Sequence, residues 1–398
     1  VTESAASRAD AADVLTLTVE RLAWRGRGVA RPAGLPVVLV EPGVLPGETI
    51  QARVTARKKD YWQAQAEAIE KPSPWRVPHP CPHADRCGGS PFGIVEPTAA
   101  VELKAELLRH TMRRALGQAA ESAVSRLAVI PSPSPWGYRF RAQVHVAAGK
   151  AHFRALGSHQ LVPLSRCLLL AEPLDAALAQ VASRLPEGRH TIAASPVDGA
   201  VLAHTDPGEI RVALPGCGEV GVPPGVFFQA NQLLNPALVQ AVLGWTAQSL
   251  RVVDLFAGAG NFALPLAACG HEVLALESSG PGVEAGRRNA RRLGLEARVR
   301  WLEADLHRGL PAALTRFAPE AVVVDPPRIG AKGLAAALAR MPSVRQVVWI
   351  SCDVVNSLRD VRPLLASGFA LGEVTLFDMF PGTWHMEVAM VCRRQSLD

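Results

Sequence analysis

Five short apolar runs between residues 251 and 352 each lead into a polar turn or a segment of helical spacing. They are "RVVDLFAGAGNFALPLAACG", "HEVLALESSGPGVEAGRRNARRLGL", "VRWLEAD", "AVVVDPPRIG" and "QVVWISCD". Runs this short and uniformly apolar suit strands buried on both faces, as in a parallel sheet covered by helices. The pattern predicts a doubly wound, Rossmann-like α/β sheet. "LGEVTLFDMFPGTWHMEVAMVCRR" then holds two strand-like runs around a short loop, which predicts an antiparallel hairpin at the sheet edge. The carboxyl ends of strands in such a sheet open on one crevice. Here those ends carry Asp254, Glu277, Asp305, Asp325 and Cys352. A single acid at a strand end is commonly a loop cap; polar groups on consecutive strand ends point to a binding site.

The first of these strands runs into "DLFAGAGNFA". Gly258 and Gly260 let a ligand approach the backbone, and the helix behind them offers free N–H groups. Glu277 closes the next strand, where a carboxylate suits ribose hydroxyls. A dinucleotide site of an NAD-dependent oxidoreductase is one reading. S-adenosylmethionine fits better, because Asp254 suits a cationic amino-acid ligand more than a pyrophosphate, and the sheet ends in a hairpin instead of a second parallel half.

Cys352, in "VVWISCDVV", sits at a strand end near a helix start, a place for a thiolate. Glu387 lies in the apolar run "HMEVAM", where burial raises a carboxyl pKa toward that of a general base. Cys217, Cys269 and Cys392 read as small buried hydrophobes. A thiolate, a carboxylate and a sulfonium methyl donor in one cleft suit methylation of a pyrimidine at C5. Thiolate addition at C6 makes C5 enolate-like, C5 takes the methyl, a base removes the C5 proton, and the cysteine leaves.

At 398 residues the chain is too long for one ordinary core. Residues 12–71 read as short strands broken by Gly and Pro, a small OB-like β-barrel. Residues 72–225 read as a small mixed middle domain that begins with a Pro-rich boundary and a cysteine segment, and 226–398 as the ligand-binding α/β domain. The formal charge is +6, with pI near 9.1. Arginines and aromatics share "RLAWRGRGVAR", "ARKKDYW" and "WGYRFRAQVH", a combination that suits phosphates and unstacked bases of single-stranded RNA, with no DNA expected. There is no membrane-spanning run, and "VTESAASRADAAD" lacks a signal-peptide layout. A cytoplasmic protein is expected, a monomer, its seven cysteines reduced.

These residues resemble the RNA uridine-5-methyltransferase family over nearly the whole chain. "FFQANQ", "DLFAGAGNF", "DPPRIG", "SCD" and "DMFPGTWHMEVA" occur in the family's order, and the barrel, with "PGVLPGE" and "RKKDYWQAQAEAI", resembles the TRAM domain of bacterial 23S rRNA members. The resemblance implies that Gln229, Phe256, Asn261, Glu277, Asp305 and Asp325 contact S-adenosylmethionine, that Cys352 is the nucleophile and that Glu387 is the base. It implies a uridine of 23S rRNA as substrate. A tRNA uridine, or a non-catalytic RNA-binding or assembly role, stays open. Arg328 follows the Asp-Pro-Pro where adenine-N6 methyltransferases carry an aromatic and cytosine-5 methyltransferases a cysteine, which favours uracil. Asp353-Val354 departs from the family's Asn-Pro.

Many rRNA members hold a [4Fe-4S] cluster through C-x5-C-x2-C and a distant cysteine. Cys81, Cys87 and Cys167 match three of these positions and Ser90 replaces the other. A cluster on three cysteines, a zinc site using His79 or His83 beside Cys81 and Cys87, and three free thiols are the readings left open.

Overall fold

The computed structural model describes residues 14–395. The polar N-terminal stretch and the outermost ends of the expected spans 12–71 and 226–398 lie outside the described residues. The chain divides into two compact units, one formed by residues up to Pro80 with Pro91–Leu103 and Gly382–Trp384, the other by Cys81–Ser90, Lys104–Pro381 and the residues from His385 onward.

In the first unit, strands β1 (Val14–Thr18), β2 (Arg21–Ala23), β3 (Arg27–Ala30), β4 (Val37–Val40), β5 (Thr49–Arg57) and β6 (Tyr61–Lys71) form one sheet in the order β1-β5-β6-β4-β3-β2. Alternation along these strands turns Leu17, Val38, Val40, Ile50, Ala52 and Ala64 into one small core, in line with the expected barrel. Beyond β6 the chain is tied back by a buried carboxylate. Glu48 is fully buried and accepts from the Leu45 amide at 2.8 Å, the Ser73 amide at 3.2 Å and the Arg76 guanidinium at 2.5 and 2.9 Å. Burial alone would raise its pKa; Arg76 and the two amides outweigh that and hold it below the ordinary value. Helix α1 (Pro97–Leu116) starts in this unit, where Ala99, Ala100 and Leu103 pack with Phe92 and Leu22.

The second unit takes α1 from Lys104 onward, then α2 (Glu121–Ser125) and β7 (Ala128–Ile130). Strands β8 (Arg141–Ala147), β9 (Lys150–Arg154) and β10 (Leu161–Pro163), helix α3 (Glu172–Arg184), and strands β11 (Gly188–Ala194) and β12 (Val201–Ala203) follow. The strands pair in the order β10-β9-β8-β11-β12. Strands β13 (Ile210–Leu214) and β14 (Gly218–Val222) make a separate hairpin, and helix α4 (Asn235–Thr246) leads to the main sheet.

That sheet is built from β15 (Arg251–Leu255), α5 (Ala263–Ala268), β16 (Glu272–Glu277), α6 (Gly280–Arg292), β17 (Val299–Glu303), α7 (Ala312–Phe317), β18 (Ala321–Val324), α8 (Leu334–Ala339), β19 (Gln346–Ser351), α9 (Val354–Leu365), β20 (Phe369–Phe377) and β21 (Glu387–Arg394). Strand order is β17-β16-β15-β18-β19-β21-β20-β7, with β15 to β19 parallel and β21 antiparallel to both its neighbours. The expected doubly wound sheet and its antiparallel hairpin are both present. One strand escapes the periodicity: β7, three residues long, pairs parallel with β20 and extends the sheet beyond the hairpin. The order reverses between β15 and β18, so their carboxyl ends, Asp254 and Asp325, flank the switch-point crevice.

Candidate active site

Asp254 is fully buried. Its Oδ2 accepts from the Ala263 amide at 2.9 Å, which ties the end of β15 to the start of α5. Its Oδ1 is buried with no hydrogen-bond partner. Burial pushes its pKa well up; the Ala263 amide opposes this, while Asp325 and Glu277 add to it. Between the strand and α5 the chain turns sharply. Phe256 takes φ 65°, a left-handed conformation that costs a side-chain-bearing residue about 1–3 kcal/mol and marks a constrained loop. At Gly260, φ 104°, a Cβ would stand 2.7 Å from the Leu264 side chain. The Gly258 amide donates to Glu277 Oε2 at 2.9 Å, and Glu277 Oε1 accepts from the Ser279 amide at 2.8 Å. Glu277 therefore shapes the glycine turn as well as closing β16.

A small pocket opens beside this turn. Gln229, Phe256, Gly258, Asn261 and Asp325 line it, together with Phe227. Asn261 is held by a reciprocal amide pair with Asn235, at 2.8 and 3.2 Å. Gln229 Nε2 donates to Asp325 Oδ2 at 3.2 Å. Burial pushes the Asp325 carboxyl up to about 7, against the lowering effect of Gln229. One face of the cavity is apolar: Val212 and Leu214 of β13 with Val220 and Val222 of β14. Sequence reasoning missed these four, and the only local signal is the alternating pattern that makes them strands. Asp254, Gly260, Glu277 and Asp305 lie outside the lining, the first three in or beside the glycine turn and Asp305 further along the chain. Asp305 caps the turn Leu306–Arg308, accepts from the His307 amide at 3.0 Å and pairs with Arg308 at 3.2 Å. The residues present suit S-adenosylmethionine: a buried acid with an unmet acceptor, the side chains of Gln229, Asn261 and Asp325, and an apolar wall.

Cys352 and Glu387 come from neighbouring strands. Ser351 of β19 pairs with Val388 of β21, so the register carried one residue further sets Cys352 opposite Glu387. Burial pushes the Cys352 thiol up to about 12; Glu387 and Asp325 raise it too, and Arg328 opposes them through charge and a hydrogen bond. Glu387, 3% exposed, is pushed well up by burial and by Asp325, again opposed by Arg328. Arg328 is thus the cation of this cluster, where sequence reasoning used it only to choose between bases. Asn356 Nδ2 donates to the Arg328 carbonyl at 3.1 Å, and Asp353 caps α9 by accepting from the Asn356 amide at 3.1 Å. The altered Asp353-Val354 loop therefore still starts a well-capped helix.

The loop before Glu387 is anchored from outside the sheet. Lys104, 1% exposed, donates to Asp378 Oδ1 at 2.5 Å and to the Phe380 carbonyl at 3.0 Å. The Tyr138 hydroxyl donates to the Pro381 carbonyl at 2.8 Å. None of these three anchoring contacts has a sequence motif.

The cysteine segment is organised by hydrogen bonds. The Cys87 amide donates to the His83 carbonyl at 2.7 Å, the Gly88 amide to the Arg154 carbonyl at 3.2 Å, and the Cys167 amide to Asp175 at 2.7 Å. Burial raises the Cys87 thiol and pushes Cys167 up to about 11, each further raised by a neighbouring cysteine. A serine stands in the remaining position, so three thiols at most are available there. Among the described residues no group of three or more His, Cys, Asp or Glu is placed to hold a metal ion. The expectation of a [4Fe-4S] cluster or zinc at Cys81, Cys87 and Cys167 is not supported. Of the cysteines read as buried hydrophobes, Cys392 is buried, Cys217 is half-buried and Cys269 is exposed.

Fold and site together define an S-adenosylmethionine-dependent methyltransferase. A family model described as tRNA (uracil-5-)-methyltransferase matches residues 302–395. Proteins named 23S rRNA (uracil(1939)-C(5))-methyltransferase RlmD are similar over most of their length. The one from Halomonas elongata is 33% identical, covering 93% of this chain and 88% of the relative. That from Pectobacterium atrosepticum is 32% identical, covering 94% and 92%. The crystal structure of Pyrococcus abyssi tRNA (uracil-54, C5)-methyltransferase with S-adenosyl-L-homocysteine shares the fold, with TM-score 0.72 at 20% identity over 95% of this chain and 100% of that one. The chain belongs to the RNA (uracil-5-)-methyltransferase family.

Proposed function

We propose that this enzyme methylates C5 of a uridine in 23S rRNA in the cytoplasm, through a covalent bond between Cys352 and C6. The observation that carries the reading is the convergence of Cys352, Glu387 and Arg328 beside the Asp325 end of the cavity. Asp254, Glu277, Asn261 and Asp325 would hold S-adenosylmethionine, which would supply an electrophilic methyl group and leave as S-adenosylhomocysteine. Cys352 gives its proton to solvent and its sulfur adds to C6, which leaves C5 with enolate character. C5 takes the methyl. Glu387 then accepts the C5 proton, the C5–C6 double bond re-forms and the thiolate leaves. The resting thiol and acid are both held protonated by burial, so Arg328 and positive charge brought into the cleft are what favour the ionised forms. Substrate choice rests on the RlmD relatives' identity across nearly the whole chain. The test is transfer of labelled methyl from S-adenosylmethionine to unmodified 23S rRNA and tRNA transcripts, with the nucleoside identified by mass spectrometry. 5-Methyluridine in tRNA alone would replace the rRNA assignment; no product with either RNA would refute the reading.

A further inference from the structure

Between Glu121 and Glu172 the sequence contains no Asp or Glu, although the chain as a whole has 36 among 398 residues. Strands β8, β9 and β10 fall inside this acid-free stretch. Along β8, Ala142, Val144 and Val146 face the core, so Arg141, Gln143 and His145 face outward. Register pairs place His152 of β9 and Arg189 of β11 on either side of His145, and Arg154 lies on the same face as His152. Elsewhere in this unit arginines meet carboxylates: Arg184 with Asp206, Arg211 with Asp198, Arg288 with Glu209. On this face Arg154 instead donates to His145 at 3.1 Å and contacts His159 at 3.2 Å. Burial first, then Arg154, Arg189 and His152, hold the His145 pKa down. Glu187 stands at one end, where it accepts from the Ala148 amide. At the other end Arg141 lies over the ring of Phe227, 5.6 Å from its centroid, and its Nε is buried with no hydrogen-bond partner. Phe227 is 57% exposed and lines the cofactor cavity.

We propose that this face, from Arg141 at the mouth of the cleft to Arg154 and Arg189, is a track for the phosphates of the single-stranded RNA adjoining the target uridine. Arg141, Arg154 and Arg189 lie on β8, β9 and β11, so the cations spread across three adjacent strands of the sheet. Self-repelling cations with an unmet donor are relieved by a polyanion. The track deepens the reading of an RNA substrate and rests on it.

The test is the double variant R154E/R189E, both positions being exposed, with R345E, at an exposed position just before β19 in the main sheet, as control. Equilibrium binding to a single-stranded 23S rRNA fragment is measured against salt, alongside kcat, KM and S-adenosylmethionine affinity. The double variant is expected to bind RNA about 10- to 100-fold more weakly, with the salt slope reduced by about two. KM for RNA should rise, with kcat and cofactor affinity changed less than about twofold, and R345E should leave the slope intact. An unchanged slope and affinity, or an equal loss in R345E, overturns the track. Loss of methylation by the unaltered enzyme on every RNA would instead strike the proposed reaction and leave the binding result to be read alone.

Discussion

The reactivity of Cys352 offers a quantitative check on the cleft, by alkylation of the enzyme without RNA or cofactor. Its thiol is pushed from the ordinary 9.0 up to about 12 by burial, Glu387 and Asp325. At pH 7.5 an ordinary thiol is about 3% ionised, whereas Cys352 would be ionised in about 3 molecules per 100,000, about a thousandfold fewer. A more basic thiolate is a better nucleophile, with a Brønsted slope of about 0.4–0.5, which returns about 20- to 30-fold. Iodoacetamide should therefore label Cys352 about 30- to 60-fold more slowly than the exposed Cys269, followed peptide by peptide by mass spectrometry. The rate should climb tenfold per pH unit from 7 to 10 with no plateau, because deprotonation is incomplete throughout. R328M removes the one opposing cation and should slow labelling further. Labelling of Cys352 as fast as Cys269 at pH 7.5, or a plateau below pH 9, would refute the picture of a half-buried, protonated thiol.

E387Q should lose about 10²–10⁴-fold in turnover while retaining S-adenosylmethionine binding, and should accumulate an RNA–protein adduct on denaturing gels, because the C5 proton has no acceptor. K104M leaves Asp378 buried without its cation and is expected to cost about 3–5 kcal/mol, read as lowered Tm and faster amide exchange around Phe377–Met379, whereas K104M/D378N should recover part of the loss. Glu48 is held below its ordinary pKa of 4.5, so its contribution is complete above that value and lost as pH falls through its lower folded value. R76M should therefore weaken the barrel at neutral pH and flatten its acid dependence, measured by proteolysis of the first unit between pH 3 and 7.

The features legible in the sequence are those written in local pattern. Apolar runs gave the parallel strands, and polar residues closing them gave Asp254, Glu277, Asp325 and Cys352. The glycine turn was legible because Gly258 and Gly260 stand where backbone must yield space. Asp305 follows its strand in the same way and also caps a turn, a use that its sequence position does not distinguish from ligand binding. What the sequence hides depends on distance along the chain. Lys104 meets Asp378 across 274 positions, Gln229 meets Asp325 across 96, and β7 is too short to carry a period. The cysteine spacing around Cys81 and Cys87 was plain, but Ser90 breaks the pattern, and spacing alone does not show that a ligand set converges.

The central claim is the covalent bond from Cys352 to the pyrimidine, and a 5-fluorouridine-substituted 23S rRNA fragment tests it most directly. Fluorine at C5 cannot leave as a proton does, so after methyl transfer the adduct has no route to elimination. With S-adenosylmethionine present, the expected result is a stable RNA–protein complex whose nuclease-trimmed peptide carries a methylated fluorouridine on Cys352, absent in C352A. Methylation of ordinary uridine by C352A, or a trapped nucleotide on any other residue, would contradict it.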